Sequence, residues 1–153
     1  MVYSNGEMMD VLEAMRGRKS TRAYLDQPVT RATIESIFDA ARWAPSGVNC
    51  QPWQVAVVTG TTKTRISEAL LAARKARQPE SPDYAYYPKD WQEPYKSRRK
   101  ATGLALYQAL NIGKDDAFAR LKAWNGNYHF FGAPAGLLFF VDRALSQGAW
   151  VDM

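Results

Sequence analysis

Two short apolar runs constrain the fold of this chain more than any other feature. The run WQVAVVTG lies between Pro52 and Gly60, and the run AGLLFFVD begins at Ala135. Short runs of this composition are typical of strands that are covered on both faces. Because two strands make a poor sheet by themselves, we expect the sheet to be completed by another chain or by residues that this sequence does not include.

Helical patterns fill most of the remaining chain, which predicts an α+β or α/β layered domain. A capping box at Ser4 and Glu7 predicts a first helix from about Ser4 to Arg16, and Thr30 can cap a second helix that stops near Pro45. Three further helices are predicted from Thr62 to about Arg77 (with Ile66, Ala69, Leu70 and Ala73 inward), from Tyr95 to Leu110, and from Lys114 to Ala123. The closing residues, SQGAWVDM, indicate a loop that enters another helix.

Two segments between these helices have irregular patterns. Residues 78–94 contain four prolines, three tyrosines and one tryptophan, which is too aromatic for a solvated linker and too proline-rich for regular structure. We therefore expect an ordered excursion that packs on another part of the protein. The stretch NGNYHFFGAP predicts a turn-rich loop before the second strand.

Composition limits the class of protein. A length of 153 residues predicts a single domain, and 46% hydrophobic residues with 23% charged residues is typical of soluble globular proteins. The apolar runs are too short to span a membrane, and the start of the chain lacks the pattern of a secretion signal. The single cysteine, Cys50, fits a reducing cytoplasm. The net charge of +5 suits anionic ligands, and a basic nucleic-acid module is the least favoured alternative.

Residues for side-chain catalysis are scarce. His129 is the single histidine, so a catalytic triad or a histidine-based metal site is hard to build, and we expect His129 to pack in the loop before the second strand. Cys50 has no histidine near it in sequence, which makes it a poor nucleophile. If the chain is an enzyme, the reactive atoms therefore belong to a cofactor, and no metal site is expected.

A basic segment follows the first helix. Arg18, Ser20 and Arg22 alternate, so in an extended conformation their side chains can converge on one ligand. Two guanidinium groups with a hydroxyl between them match a phosphate or an acceptor-rich ring edge. The alternative is an ordinary basic surface stretch.

A proline-bounded turn precedes the first strand, in the stretch APSGVNCQPW that begins at Ala44. Two prolines restrict the backbone around a glycine, and they place Ser46, Asn49 and Gln51 beside Trp53. Such a turn suits the recognition of a flat polar ring, whereas the alternative is a simple helix-to-strand connection.

Together the stretches RKSTRAY and AARWAPSGVNCQPWQVAVV resemble the N-terminal half of the nitroreductase family of flavoenzymes. The stretches YYPKDWQEPYKSRRKATGLALY, NYHFFGAPAGLLFFVD and GAWVDM resemble its nitrobenzoate-reductase-like branch. The resemblance covers nearly the whole chain. It implies one nitroreductase-like domain over residues 1–153, in which helices surround a central β-sheet. Family members continue past the position of Met153, so the resemblance also implies that the C-terminal part of the fold is absent from this chain.

The resemblance further implies a homodimer that binds FMN at the subunit interface. By the family pattern, Arg18 binds the FMN phosphate, Lys19 and Ser20 line the ribityl and ring contacts, and Arg22 faces the pyrimidine edge. The contacts along the ring come from the partner chain, through Pro45, Ser46, Gly47 and Asn49. Four other residues are less firmly aligned candidates, namely Lys96, Arg99, Asn125 and Asn127.

The implied reaction is a ping-pong transfer of hydride from NADPH or NADH through FMN to a nitroaromatic compound, which becomes a nitroso compound and then a hydroxylamine. No protein side chain needs to act as nucleophile or general base. The aromatic excursion then covers the flavin mouth or, alternatively, clasps the dimer. Two alternative functions remain: the same flavin site with a quinone or flavin acceptor, and a flavin-binding or dimerisation fragment without turnover.

Overall fold

The computed structural model describes residues 10–153. Short 3₁₀ turns occupy Gly47–Asn49, Gly126–Gly132 and Arg143–Leu145. The helices and strands, in chain order, are α1 (Val11–Gly17), α2 (Arg31–Ala41), β1 (Gln54–Thr59), α3 (Gly60–Lys75), α4 (Tyr95–Ala109), α5 (Ala117–Asn125), β2 (Ala135–Phe140) and α6 (Ser146–Val151).

The sheet of the described residues consists of β1 and β2, which pair antiparallel. Gln54 lies opposite Phe140 at one end of the ladder, and Thr59 lies opposite Ala135 at the other. Both predicted strands are therefore confirmed. The expectation that both faces are covered is wrong for the described chain, since Val57, Leu137 and Phe139 remain exposed. Within residues 10–153, α3 is the helix that packs against both strands, and one helix covers only part of a sheet.

Helix α3 packs on the strands through a face that matches the predicted one only in part. Ser67 is buried, with 4% of its surface exposed, and Ile66 is half-buried, whereas Leu70 is 42% exposed. The inward stripe also carries Lys63 and Arg74, which contact the loop before β2. The polar part of this face was not predicted. Lys63 and Arg74 donate hydrogen bonds to that loop, and hydrophobic periodicity does not detect such contacts.

The predicted start of α2 is confirmed, whereas α2 ends at Ala41, before the predicted stop near Pro45. Thr30 caps α2, because its hydroxyl accepts a hydrogen bond of 3.1 Å from the Thr33 amide. Asp116 caps α5 in the same way, because its carboxylate accepts a hydrogen bond of 2.8 Å from the Ala119 amide. Helix α5 therefore begins at Ala117 instead of the predicted Lys114. Helix α1 begins after Asp10 and ends at Gly17, and the predicted start at Ser4 lies outside the described residues.

The segment 78–94 is irregular and ordered against α6, as predicted. The Tyr84 ring stacks on Trp150 with 5.2 Å between ring centroids. Asp83 pairs with Arg143 at 3.2 Å, just before α6. The excursion therefore packs on the C-terminal part of the described chain. Among residues 10–153, no helix combines the length and the hydropathy that a membrane span requires.

Candidate cofactor site

The basic segment, residues 18–22, leaves α1 where Arg18 adopts non-helical backbone angles. Its side chains are exposed, and within residues 10–153 no carboxylate lies within ion-pair distance of Arg18, Lys19 or Arg22. Arg22 is the member held in place. Its Nη1 donates a hydrogen bond of 3.1 Å to the Ser20 carbonyl, and its Cζ lies 5.9 Å from the Phe131 ring centroid. Three unpaired cations and a hydroxyl within five residues fit a phosphate-bearing ligand.

Arg22 also lines a cavity of about 640 Å³. The cavity lies between α4, α5 and the loop 126–132. Aromatic walls come from Tyr107, Trp124 and Phe131, polar groups come from Asn127 and His129, and Lys122 adds a second cation. Among residues 10–153, no aspartate or glutamate lines it. A cavity with aromatic walls, two cations and no carboxylate fits a planar aromatic ligand that carries or develops negative charge.

His129 lies in the predicted loop, but it is exposed and lines this cavity instead of packing in the loop. Sequence reasoning missed this placement because a lone histidine between aromatic residues carries no local signal of a ligand. Of the two asparagine candidates, Asn127 lines the cavity and Asn125 does not. Neither Lys96 nor Arg99 lines it, and Arg99 lies over the Trp91 ring, with its Cζ 5.1 Å from the centroid.

Contacts from α3 and β2 hold the loop 126–132 in place. The Lys63 ammonium donates to the Ala133 carbonyl, and Arg74 Nη1 donates to the Tyr128 hydroxyl at 3.2 Å. The Phe130 ring packs so closely on Gly136 that an added Cβ there would lie 2.5 Å from a ring carbon. Lys63 and Arg74 of α3 and Gly136 of β2 therefore support the cavity wall beside Arg22.

The proline turn, residues 45–52, is the second predicted element of the site. Three residues other than glycine adopt left-handed backbone angles there, Val48, Asn49 and Gln51, with φ between 48° and 56°. The Gln51 amide donates to the Ser46 hydroxyl at 2.9 Å, and the Gln51 side chain donates to Asn49 Oδ1 at 3.0 Å. The turn is therefore a specific structure and more than a simple connection.

The two predicted elements do not meet within one chain. No hydrogen bond, ion pair or ring contact among residues 10–153 joins the basic segment to residues 45–49 of the proline turn. The same part of the chain holds no group of three or more metal-ligating side chains.

Comparison with known proteins places the chain among relatives. The sequence profile of the nitroreductase family matches residues 15–153. The chain is 36% identical over 141 residues to the nitrobenzene nitroreductase of Ectopseudomonas oleovorans, covering 91% of this chain and 62% of that protein. It is 37% identical over 135 residues to the 4-nitrobenzoate reductase of Pseudomonas putida, and this match covers 88% of this chain and 59% of that protein. The chain thus spans about three fifths of the length of these relatives.

Solved structures give the same result for the fold. The FMN- and NADPH-dependent nitroreductase NfnB from Sphigopyxis sp. strain HMH superposes with a TM-score of 0.86 at 41% identity, over 95% of this chain and 66% of that one. NfnB from Mycobacterium smegmatis, solved in complex with NADPH, superposes with a TM-score of 0.83 at 30% identity. The superposition covers 92% of this chain and 63% of that one. These matches confirm the predicted α+β nitroreductase-like fold. The chain belongs to the nitroreductase family.

Proposed function

We propose that this protein is an FMN-dependent oxidoreductase that transfers hydride equivalents from NADPH or NADH to a nitroaromatic compound by a ping-pong mechanism. The observation that carries the proposal is the cavity beside Arg22, which the described residues line with aromatic walls, two cations and no carboxylate. The relatives whose names include nitrobenzene, nitrobenzoate, FMN and NADPH support the same assignment.

The residues present fit FMN. Arg18 would bind the phosphate, with Lys19 and Ser20 along the ribityl chain, because these cations have no carboxylate partner in the described part of the chain. Arg22 would face the pyrimidine edge of the ring. Asn127 and His129 line the same cavity and extend this set of polar contacts. Bound FMN would accept two electrons from the nicotinamide and pass them to the nitro group.

The side chains of this protein would bind and orient rather than react. The Arg22 guanidinium would place positive charge beside the pyrimidine edge, where it would stabilise the negative charge that the ring gains on reduction. Trp124, Tyr107 and Phe131 would offer stacking surfaces to the ring. No side chain has to serve as nucleophile or general base. Catalysis would then depend on orientation and charge.

We propose that the complete site forms in a homodimer, with the basic segment from one protomer and Pro45, Ser46, Gly47 and Asn49 from its partner. The lack of a hydrogen bond, ion pair or ring contact between the two elements within residues 10–153 supports this arrangement. The exposed sheet residues Leu137 and Phe139 offer apolar surface to a partner. We further propose a single domain over residues 1–153 and a cytoplasmic location, since the chain carries one cysteine.

A quinone or flavin acceptor is the second candidate, because the described cavity wall is aromatic and apolar and holds no group that is specific for a nitro substituent. Separate turnover assays with a nitrobenzoate and a quinone, each with the same reductant, distinguish the two acceptors. A protein that binds FMN and turns over neither would be a flavin-binding fragment.

The direct test is the visible absorption spectrum of the purified protein after incubation with FMN and desalting. The proposal predicts a retained flavin band that bleaches anaerobically with NADPH or NADH and returns when a nitrobenzoate is added. Arg22→Ala should lose most of the band. Arg31→Ala is the matched control, because Arg31 is an exposed arginine paired with Glu35 on α2, away from the cavity. A colourless wild-type protein would overturn the proposal.

A further inference from the structure

We infer that Asp152 is a positioning residue for the proline turn, and that it holds the turn in the conformation that contacts the cofactor. This inference rests on the proposed function. The Gly47 amide donates a hydrogen bond of 3.0 Å to Asp152 Oδ2, across 105 residues of sequence. Local sequence patterns do not reveal such a contact.

The turn needs support from outside because its backbone is strained. Val48, Asn49 and Gln51 have left-handed angles, which residues with a Cβ rarely adopt unless the surroundings enforce them. Two hydrogen bonds inside the turn involve side chains. Gln51 donates both of them, one to the Ser46 hydroxyl and one to Asn49 Oδ1. The Gly47 amide takes part in neither, and its partner is the Asp152 carboxylate.

The carboxylate lies against Gly47 itself. A Cβ at Gly47 would be 3.6 Å from Asp152 Oδ2, which is van der Waals contact. Asp152 is half-buried and lines a second cavity, of about 470 Å³, together with apolar residues of α2 and the sheet. A carboxylate in partly apolar surroundings binds an amide more strongly than one in bulk water, because less water competes for it.

Asp152 is itself anchored. It ends α6, in which Ala149 is 4% exposed and Trp150 stacks on Tyr84. An exposed ion pair also joins Asp83 to Arg143, in the turn that precedes α6. Through Asp152, the proline turn is therefore connected to the excursion 78–94. A carboxylate on a fixed helix end can hold the turn, whereas one on a free end could not.

The expected consequence is pre-organisation. If the turn is already in its binding conformation, no binding free energy is needed to order the turn, and the affinity for the ligand is higher. Without the carboxylate, the Gly47 amide exchanges its partner for water and the strained turn samples other conformations. FMN binding should then weaken while the rest of the fold remains.

The test compares Asp152→Ala and Asp152→Asn with the wild-type protein. Asparagine keeps an oxygen that can accept from the Gly47 amide, whereas alanine does not. Asp142→Ala is the matched control, because Asp142 also accepts from a backbone amide, that of Ala144 at 2.9 Å, in a turn away from the proline turn. Two quantities are measured: the Kd for FMN, and amide hydrogen exchange of a peptide spanning Gly47 in the FMN-free protein.

We expect Asp152→Ala to raise the Kd for FMN about tenfold and Asp152→Asn to raise it less than about threefold, with Asp142→Ala unchanged. Exchange at Gly47 should accelerate in Asp152→Ala and stay close to wild type in Asp142→Ala. Unchanged exchange in Asp152→Ala would overturn the positioning role, whatever the protein binds. Equal weakening of FMN binding by both alanine variants would also overturn it, because the effect would then be general. A wild-type protein that binds no FMN would instead overturn the proposed function.

Discussion

The basic segment and the proline turn form the two halves of the proposed site, and they are built in opposite ways. In the basic segment, Arg22 is the residue held by contacts, while Arg18 and Lys19 are exposed and have no ion-pair partner in the described chain. The proline turn is closed by its own hydrogen bonds and by Asp152. The comparison indicates a division of roles: one half keeps its charges free for an anion, and the other presents a rigid surface.

The first prediction breaks the support of the basic segment and has the largest expected effect. Gly136→Ala would place a Cβ 2.5 Å from the Phe130 ring, next to the Phe131 ring over which Arg22 lies. Overpacking of this kind typically costs about 1–3 kcal/mol, so the free energy of unfolding should fall by that amount and FMN binding should weaken. Chemical denaturation and FMN titration measure the two effects.

Gly148→Ala is the control for that prediction, because an added Cβ at Gly148 has no neighbour within 4 Å. Its stability should equal that of the wild type or exceed it by up to about 1 kcal/mol, because Gly148 lies in α6 and alanine is the better helix former. If Gly136→Ala were equally harmless, the Phe130 contact would not support the loop.

The second prediction separates binding from stability in the basic segment. Arg18→Ala should raise the Kd for FMN about tenfold or more, because a charge-assisted contact to the phosphate is lost. Its thermal midpoint should remain that of the wild type, since Arg18 is exposed and makes no ion pair within residues 10–153. Isothermal titration and a melting curve test both parts. A lowered midpoint with unchanged Kd would assign Arg18 to the fold and not to the ligand.

The third prediction concerns strain in the proline turn and has the smallest effect. Val48 is fully exposed and has φ of 48°, so Val48→Gly removes strain without removing packing. Because glycine also gains entropy in the unfolded chain, the net rise in Tm should be only about 1–2 °C. Val11→Gly, in the exposed face of α1, should lower Tm instead. A lower Tm for Val48→Gly would show that the turn is not strained at this residue.

Local signals predicted a large part of this structure. The Thr30 cap, both strands and the excursion 78–94 follow from residue chemistry within a few positions, and both halves of the proposed site appear as short motifs. The inward face of α3 was predicted only in part: Ile66 and Ala73 are half-buried as expected, but Ser67 is buried as well and Arg74 donates a hydrogen bond to Tyr128.

Local sequence signals could not predict the contacts that connect distant segments. Asp152 meets Gly47 across 105 residues, and His129 reaches the cavity because the loop 126–132 turns through two left-handed phenylalanines. Neither contact has a periodicity or a capping signal, because each depends on the packing of the whole chain. The exposure of the sheet residues agrees with the expectation that two strands alone make an incomplete sheet.

The central claim is that one cofactor site takes the basic segment from one protomer and the proline turn from its partner. Flavin retention by mixed variants tests it most directly. One variant carries Arg18→Ala with Arg22→Ala, the other carries Ser46→Ala with Asn49→Ala, and the two are unfolded, mixed and refolded together with FMN. Each variant alone should retain little flavin, whereas the mixture should regain about a quarter of the wild-type flavin band, because half of the dimers then hold one intact site. A mixture that retains no more flavin than either variant alone would contradict the shared site.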